Sequence, residues 1–123
     1  MPAEQRLRRK SDFDAVFREG IRASRGPLAL RARARGQATE EQPCRFGFAV
    51  SSRLGGAVQR NRIRRRLRES VRQLNLTGDC AGLDVVVIAR QGAAEADFHQ
   101  LDATLRSLVR RSLRQLRADG GAS

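Results

Sequence analysis

The side chains best equipped for chemistry in this sequence are arginines at helical spacing. The run Arg60-Asn61-Arg62-Ile63-Arg64-Arg65-Arg66-Leu67-Arg68 sets six guanidinium groups in nine residues. Guanidinium forks donate bidentately to phosphate and stack on planar bases, so the chemistry they offer is polyanion recognition. On a helix turning about 100° per residue with Ile63 buried, Asn61, Arg65 and Arg68 fall near the opposite pole. Arg60 and Arg64 then flank one side, Arg62 and Arg66 the other. Like charges at i,i+4, such as Arg60, Arg64 and Arg68, repel one another, and Glu69 relieves only part of that cost. Phosphates would supply the missing counter-charge. A basic run is ordinarily a solvated helix face, but the absence of intervening acids argues against that here. Charge alone does not choose among a DNA groove, a folded RNA and an acidic membrane surface.

Side chains suited to bond-breaking are scarce by comparison. His99 is the only histidine and has no cysteine or carboxylate at a spacing that would orient it as a general base. Asp12 and Asp14 suit a helix start, Asp84 opens a strand, and no acidic pair resembles a two-metal nuclease site. Cys44 and Cys80 are far apart, lack metal-ligand neighbours, and read as reduced packing residues. The expectation is a chain with no catalytic residue, no metal site and no bound cofactor of its own.

The whole chain shares the bias of its arginine run. Lys+Arg total 25 against 13 Asp+Glu, a formal net charge of +12. The sequence pI is near 11.7. Lys10 is the only lysine, which a GC-rich genome would explain, but codon usage does not explain the net charge. That excess points to a polyanionic partner. At 123 residues, 40% of them hydrophobic, the chain has room for one domain around one modest core. No stretch approaches the roughly 20 apolar residues of a membrane span. Arg6, Arg8, Arg9 and Lys10 stand where a signal peptide would turn apolar, so a cytoplasmic location is expected.

The elements that must hold these side chains are marked by patterning and punctuation. Residues 1–10 read as a flexible basic arm, 11–117 as a single domain and 118–123 as a disordered tail. Ser11 and Asp14 form a helix-start signal, Phe13, Val16 and Phe17 repeat at helical spacing, and Gly20 stops the helix. A short strand over 21–24 and a turn at Arg25-Gly26-Pro27 lead into a strand from Leu28 to Arg35. Its residues Leu28, Leu30, Ala32 and Ala34 make an apolar face, and Ala29, Arg31, Arg33 and Arg35 a basic one. After a polar loop containing Gly36, Glu40, Glu41 and Pro43, a strand over 45–51 turns Phe46, Phe48 and Val50 inward, with Gly47 on the other face allowing a close approach. Residues 57–74 form the best helix, with a buried stripe of Ile63, Leu67, Val71 and Leu74. Beyond a turn at Thr77-Gly78-Asp79, the unbroken apolar run Val85–Ala89 reads as a central strand covered on both faces and paired in parallel with an earlier one. A last helix starts at Asp97, with Gln100 three residues on, and runs to about Leu116, burying Phe98, Leu101, Leu105, Leu108, Ser112 and Leu116. The order is α-β-β-β-α-β-α. Burial habit assigns Phe46, Phe48 and Phe98 to the core, and by itself would send Phe13 and Phe17 there too.

The wording of the sequence is more specific than its charge. The stretch from Phe46 to Glu69, Phe-Gly-Phe-Ala-Val-Ser-Ser-Arg-Leu-Gly-Gly-Ala-Val-Gln-Arg-Asn-Arg-Ile-Arg-Arg-Arg-Leu-Arg-Glu, closely resembles the ribonuclease P protein family, with its Arg-Asn-Arg motif in a basic helix after a strand. Arg6-Leu7, Asp12-Phe13-x-x-Val16-Phe17-x-x-Gly20 and Asp84-Val-Val-Val-Ile-Ala-Arg90 extend the likeness over about residues 6–93, in family order. The resemblance implies an α/β (α+β) two-layer sandwich with a four-stranded, mainly antiparallel sheet. It further implies a left-handed β-α-β crossover, against a rule obeyed by about 98% of such units.

In function, the resemblance implies a subunit of an endoribonuclease whose catalytic centre and Mg2+ requirement belong to an RNA. Arg53, Arg60, Asn61, Arg62, Arg64, Arg65 and Arg68 would contact that catalytic RNA. Phe13, Phe17, Ala29 and Arg31 would line a cleft for the 5′ leader of precursor tRNA, with neither DNA nor membrane as partner. Two positions depart from the family pattern: Arg31 stands where many relatives carry an aromatic, and Ser52-Arg53 where many carry paired lysines. A guanidinium plane also stacks on a base, whereas Ser52 removes one expected phosphate contact. The rival readings are a non-enzymatic ribosomal or structural RNA-binding protein and a DNA-binding regulator. The regulator would need a helix packed just before its reading helix, where this sequence has a strand.

Overall fold

The computed structural model describes residues 6–35, 44–77 and 82–121, apart from the side chains of 75–77 and 118–121. In chain order the elements are α1 (Lys10–Glu19), β1 (Ile21–Arg25), β2 (Leu28–Ala34), β3 (Arg45–Val50), a 3-10 turn (Ser52–Leu54), α2 (Ala57–Thr77), β4 (Leu83–Ala89) and α3 (Phe98–Gly121). The strands make one sheet in the order β1-β2-β4-β3. β1 with β2 and β2 with β4 are antiparallel, whereas β3 with β4 is parallel and is joined to it through α2.

The unbroken apolar run lies where it has to. Val87 pairs across from Leu30 on one side and Phe48 on the other, so β4 is central. A central strand covered on both faces gains from apolar residues at every position, which is why β4 shows no alternation. On one face Leu28, Leu30, Ala32, Val85, Val87 and Phe46 meet Ile63, Leu67 and Val71 of α2 and Leu101, Leu105 and Leu108 of α3. Each large aliphatic or aromatic side chain among them contributes about 1.5–3 kcal/mol on burial. On the opposite face Val86 packs with Leu7 and Val16, and Phe13, Ala49 and Ile88 close around them partly buried. The short α1 thus crosses the face away from α2 and α3, leaving part of the sheet beside it uncovered by a helix.

The element ends have local causes. At the end of α1 the Gly20 N–H donates to the Val16 carbonyl at 2.8 Å. A Cβ at Gly20 would stand 2.4 Å from that oxygen and 2.9 Å from the Ala32 carbonyl, so only glycine lets the chain pass this close to β2. The Gly56 N–H donates to Gln59 Oε1 at 2.7 Å, occupying a donor at the start of α2. At the start of α3 the capping box is complete: Gln100 N–H donates to Asp97 Oδ1 and Asp97 N–H to Gln100 Oε1, both at 2.9 Å.

Several expectations are corrected. Arg9, not Ser11, sits at the cap position of α1, and it makes no side-chain cap bond. Arg6 bridges Phe46 of β3, the Leu7 N–H donates to the Phe46 carbonyl at 3.0 Å, and Leu7 is buried. The second half of the expected flexible arm is therefore an edge of the fold, because a leucine among charged neighbours finds an apolar seat beside Val86. α3 continues through Gly121, into the segment expected to be tail. Phe98 is only half-buried and lies outside the core cluster. Gly36, Glu40, Glu41, Pro43, Gly78, Asp79 and Cys80 lie outside the described residues.

Candidate nucleic-acid interface

α2 is the organising element of the charged surface. Its Ile63, Leu67, Ser70, Val71 and Leu74 are buried, which fixes the helix rotation and turns Asn61, Arg62, Arg65, Arg68 and Arg72 to solvent. Arg62, Arg65 and Arg68 make no hydrogen bond or ion pair among the described residues. Arg64 is half-buried and donates to Asn61 Oδ1 at 3.3 Å. Arg60 is half-buried too, its Nε shielded and lacking an acceptor within the described residues. Glu69, the one acid on α2, is taken up locally: Arg72 donates to it at 2.7 and 3.1 Å and Gln73 at 3.3 Å. Those bonds, Arg72's foremost, hold the Glu69 carboxyl below the usual glutamate range. Its charge is committed to Arg72 and leaves Arg65 and Arg68 uncompensated. Arg53 is exposed on the 3-10 turn that leads into α2, where the Ser51 hydroxyl accepts its backbone N–H at 3.1 Å.

The first-helix aromatics occupy two different settings. Phe13 lies half-buried on Gly47, where a Cβ would come within 2.5 Å of the ring, so the missing side chain makes the seat for it. Around this seat Arg6, Leu7, Phe46, Phe48, Arg64 and Arg68 enclose, with Phe13 and Gly47, a cavity of about 180 Å3 at the β3 edge. Phe13 is thereby brought beside the arginine helix. Phe17 is 41% exposed, and the Arg31 guanidinium stands over its ring at 5.8 Å from the centroid. The pair lies on the α1 side of the sheet, along with Ala49 and Ile88.

Ala29 needs correction: it is 3% exposed, not an open cleft position. Its register neighbours are Ser24 and Ile88, and a single methyl does not rise above them. It can floor a trough but offers almost no surface for contact.

A second set of arginines is internal. Asp84 has a side chain with no exposure, and Arg45 donates to its two oxygens at 2.8 and 2.7 Å. Arg33 and Arg35 approach the same carboxylate at 3.7 and 3.4 Å. Arg45 also lies 3.6 Å from Asp12, and Arg33 2.8 Å from Glu19, which fastens both ends of α1 to the sheet. The hydrogen bond to Asp84 is the largest influence on Arg45 and holds its guanidinium protonated more firmly than usual, against the opposing effect of partial burial. The basic face read along β2 is therefore split: Arg31 faces Phe17, whereas Arg33 and Arg35 serve the fold. The signal available in the sequence was the lone acid opening a strand whose neighbours carry arginines, since Asp84 sits in register between Arg33 and Arg45.

No helix among the described residues is long and apolar enough to cross a membrane. Nor does any group of three His, Cys, Asp or Glu side chains among them come together as metal ligands. Fold and surface define a small, strongly basic α+β protein with one exposed helix face of arginines that lack acidic partners among the described residues.

Comparison with known proteins makes this specific. The ribonuclease P family model matches residues 1–113. The ribonuclease P protein component of Streptomyces bikiniensis is 40% identical over 118 residues, covering 92% of this chain and 95% of the relative. That of Roseiflexus castenholzii is 42% identical over 113 residues, covering 91% and 88%. The solved RNase P protein of Thermotoga maritima superposes with a TM-score of 0.73 at 31% identity over 86% of this chain and 96% of that one. The Staphylococcus aureus RNase P protein gives 0.72 at 26% identity over 86% and 93%. The chain belongs to the ribonuclease P protein family.

Proposed function

We propose that this chain, as the protein subunit of ribonuclease P, binds the catalytic RNA along α2 and the 5′ leader of precursor tRNA beside α1, assisting endonucleolytic removal of the leader. Arg62, Arg65 and Arg68, with Arg53, Arg60, Asn61 and Arg64 around them, take the RNA subunit. Phe13, Phe17 and Arg31, over a floor that includes Ala29, take the leader. The observation that carries this reading is the set of exposed α2 arginines without partners among the described residues, in a chain whose residues 1–113 match the family. Each phosphate neutralised releases condensed counterions, which is the main driving force for such contacts.

The division of labour follows from the side chains present. Mg2+ held by the RNA supplies the hydrolytic chemistry of the holoenzyme. The protein's arginines offset repulsion between the RNA subunit and its RNA substrate, and the exposed Phe17 ring under Arg31 offers an unpaired leader base a stacking surface. Neither DNA nor membrane is a partner in this reading, and the site of action is the cytoplasm.

The alternative is a structural RNA-binding protein serving no cleavage reaction. Purifying the full chain from cells with its bound RNA and sequencing that RNA separates the two. Enrichment of ribonuclease P RNA and of precursor tRNAs with 5′ extensions is expected; enrichment of ribosomal RNA without either would overturn the proposal.

A further inference from the structure

Phe98 is the aromatic residue that neither the core nor the leader trough uses. It lies at the first position of α3, half-buried, with its ring edge-on to His99 at 5.8 Å. Between α2 and this end of α3 runs a groove of about 500 Å3 lined by Arg65, Arg66, Arg68, Glu69, Arg72 and Phe98. The partly open Phe98 ring shares this groove with four arginines of α2, whose aliphatic stems make much of the wall apolar and whose heads bring positive charge. Together they have the two components by which single strands are held, a positive groove and a planar platform.

The platform is also rigid. Arg66 Nη1 donates to the Ala96 carbonyl, tying the segment just before Phe98 to α2. The reciprocal Asp97–Gln100 bonds then fix the first turn of α3. Deeper in the same helix pair, the Ser70 hydroxyl donates to Asp102 at 2.6 Å, and Arg106 bridges Asp102 and Gln73 at 2.9 and 3.0 Å. Arg66 and Arg72 are committed to protein acceptors, whereas Arg65 and Arg68 at the same groove have none among the described residues.

We propose that Phe98 is a stacking platform for one unpaired RNA base, whose flanking phosphates are taken by Arg65 and Arg68. The site rests on the reading of α2 as an RNA-binding face and extends it: it selects an unpaired nucleotide within the bound RNA, since the bases of a continuous duplex present no free face. An acidic peptide would satisfy the arginines but would leave the ring without a planar partner.

The chain contains no tryptophan and no tyrosine, so F98W installs a single fluorophore at the platform. The full-length protein is titrated with ribonuclease P RNA and, separately, with an unrelated structured RNA of equal length. Wild type, F98W and F98L are compared by Kd, salt slope and unfolding midpoint. Saturable quenching of F98W emission by ribonuclease P RNA is expected, with a roughly tenfold or greater loss of affinity in F98L, the contribution of one stacked base. The salt slope of F98L should stay at the wild-type value, because every arginine remains in place. Unquenched emission, or F98L affinity equal to wild type, overturns the platform while leaving the α2 reading intact. If wild type itself does not prefer ribonuclease P RNA to the unrelated RNA, the functional reading fails and the platform with it. Should F98L unfold, the emission of F98W decides alone.

Discussion

The Asp84 carboxylate has no exposed side-chain surface and sits against Arg45, Arg33 and Arg35. Removing it takes away the buried carboxylate that three guanidinium groups share, although Arg33 keeps Glu19 and Arg45 keeps Asp12; breaking a buried ion pair costs up to about 3–5 kcal/mol. Asp84→Ala should lower the urea unfolding midpoint by a corresponding amount; an unchanged midpoint would mean the cluster is not structural. Phe17 is predicted to behave in the opposite way. Because its ring is 41% exposed, Phe17→Ala should leave the midpoint nearly unchanged. It should weaken binding of leader-bearing precursor tRNA by about 1–3 kcal/mol relative to mature tRNA, the value of one stacked base. Equal losses for both RNAs with a large drop in stability would return Phe17 to the core. At this scale the sequence is an uneven guide. Residue type and helical phase suffice to mark Asn61, Arg65 and Arg68 as outward, but do not separate exposed Arg62 from half-buried Arg66 on the same flank. Burial of Ala29, and the role of Asp84 as the hub for arginines on two other strand segments, depend on cross-strand register, which no single segment encodes. Helical phase sends Phe98 to the core because it stands one turn before Leu101 on the apolar stripe, and phase does not reveal that α2 presents arginines there.

α2 carries the proposed function because its two faces have separate duties. The buried stripe supplies stability and orientation, and the exposed face carries like charges that repel one another until phosphates arrive. Replacing Arg62, Arg65 and Arg68 together by Ala should therefore keep the fold, or even stabilise α2, since alanine is the better helix former and the repulsion is relieved. Affinity for ribonuclease P RNA should fall, and the slope of log affinity against log salt should become shallower by about 0.7–0.9 for each phosphate that the variant no longer neutralises. A slope identical to wild type would put the phosphate-binding groups elsewhere. Arg60 is left out of this variant because its half-buried guanidinium mixes a folding role with a binding one. Helix extents are legible where capping chemistry is explicit, as at Asp97 and Gln100. They are not at α1, where the Ser11–Asp14 signal loses to a start at Lys10, because the buried Leu7 and its bond to β3 set how the chain enters the helix.

The whole molecule combines a net charge of +12 with a core on each face of one sheet. The chain order of helices and strands, the central β4 and its parallel pairing with some earlier strand follow from hydrophobic patterning, because period-2 and period-3.6 signals are strong in long segments and an unbroken apolar strand demands cover on both sides. That the partner is β3 is implied by the family resemblance alone. Which face α1 covers is not legible: its apolar positions fit either side, and only the seat that Gly47 opens for Phe13 decides it. Family membership is carried by motif wording, and the charge distribution gives that membership a physical mechanism. The most direct test is cleavage of a precursor tRNA at limiting magnesium by ribonuclease P RNA alone, by this protein alone, and by the two together. No cleavage by the protein alone is expected, and faster release of the 5′ leader by the pair than by the RNA alone, with the gap narrowing as magnesium rises and replaces the arginines as counter-charge. Cleavage by the protein alone, or no gain from adding it, would contradict the account.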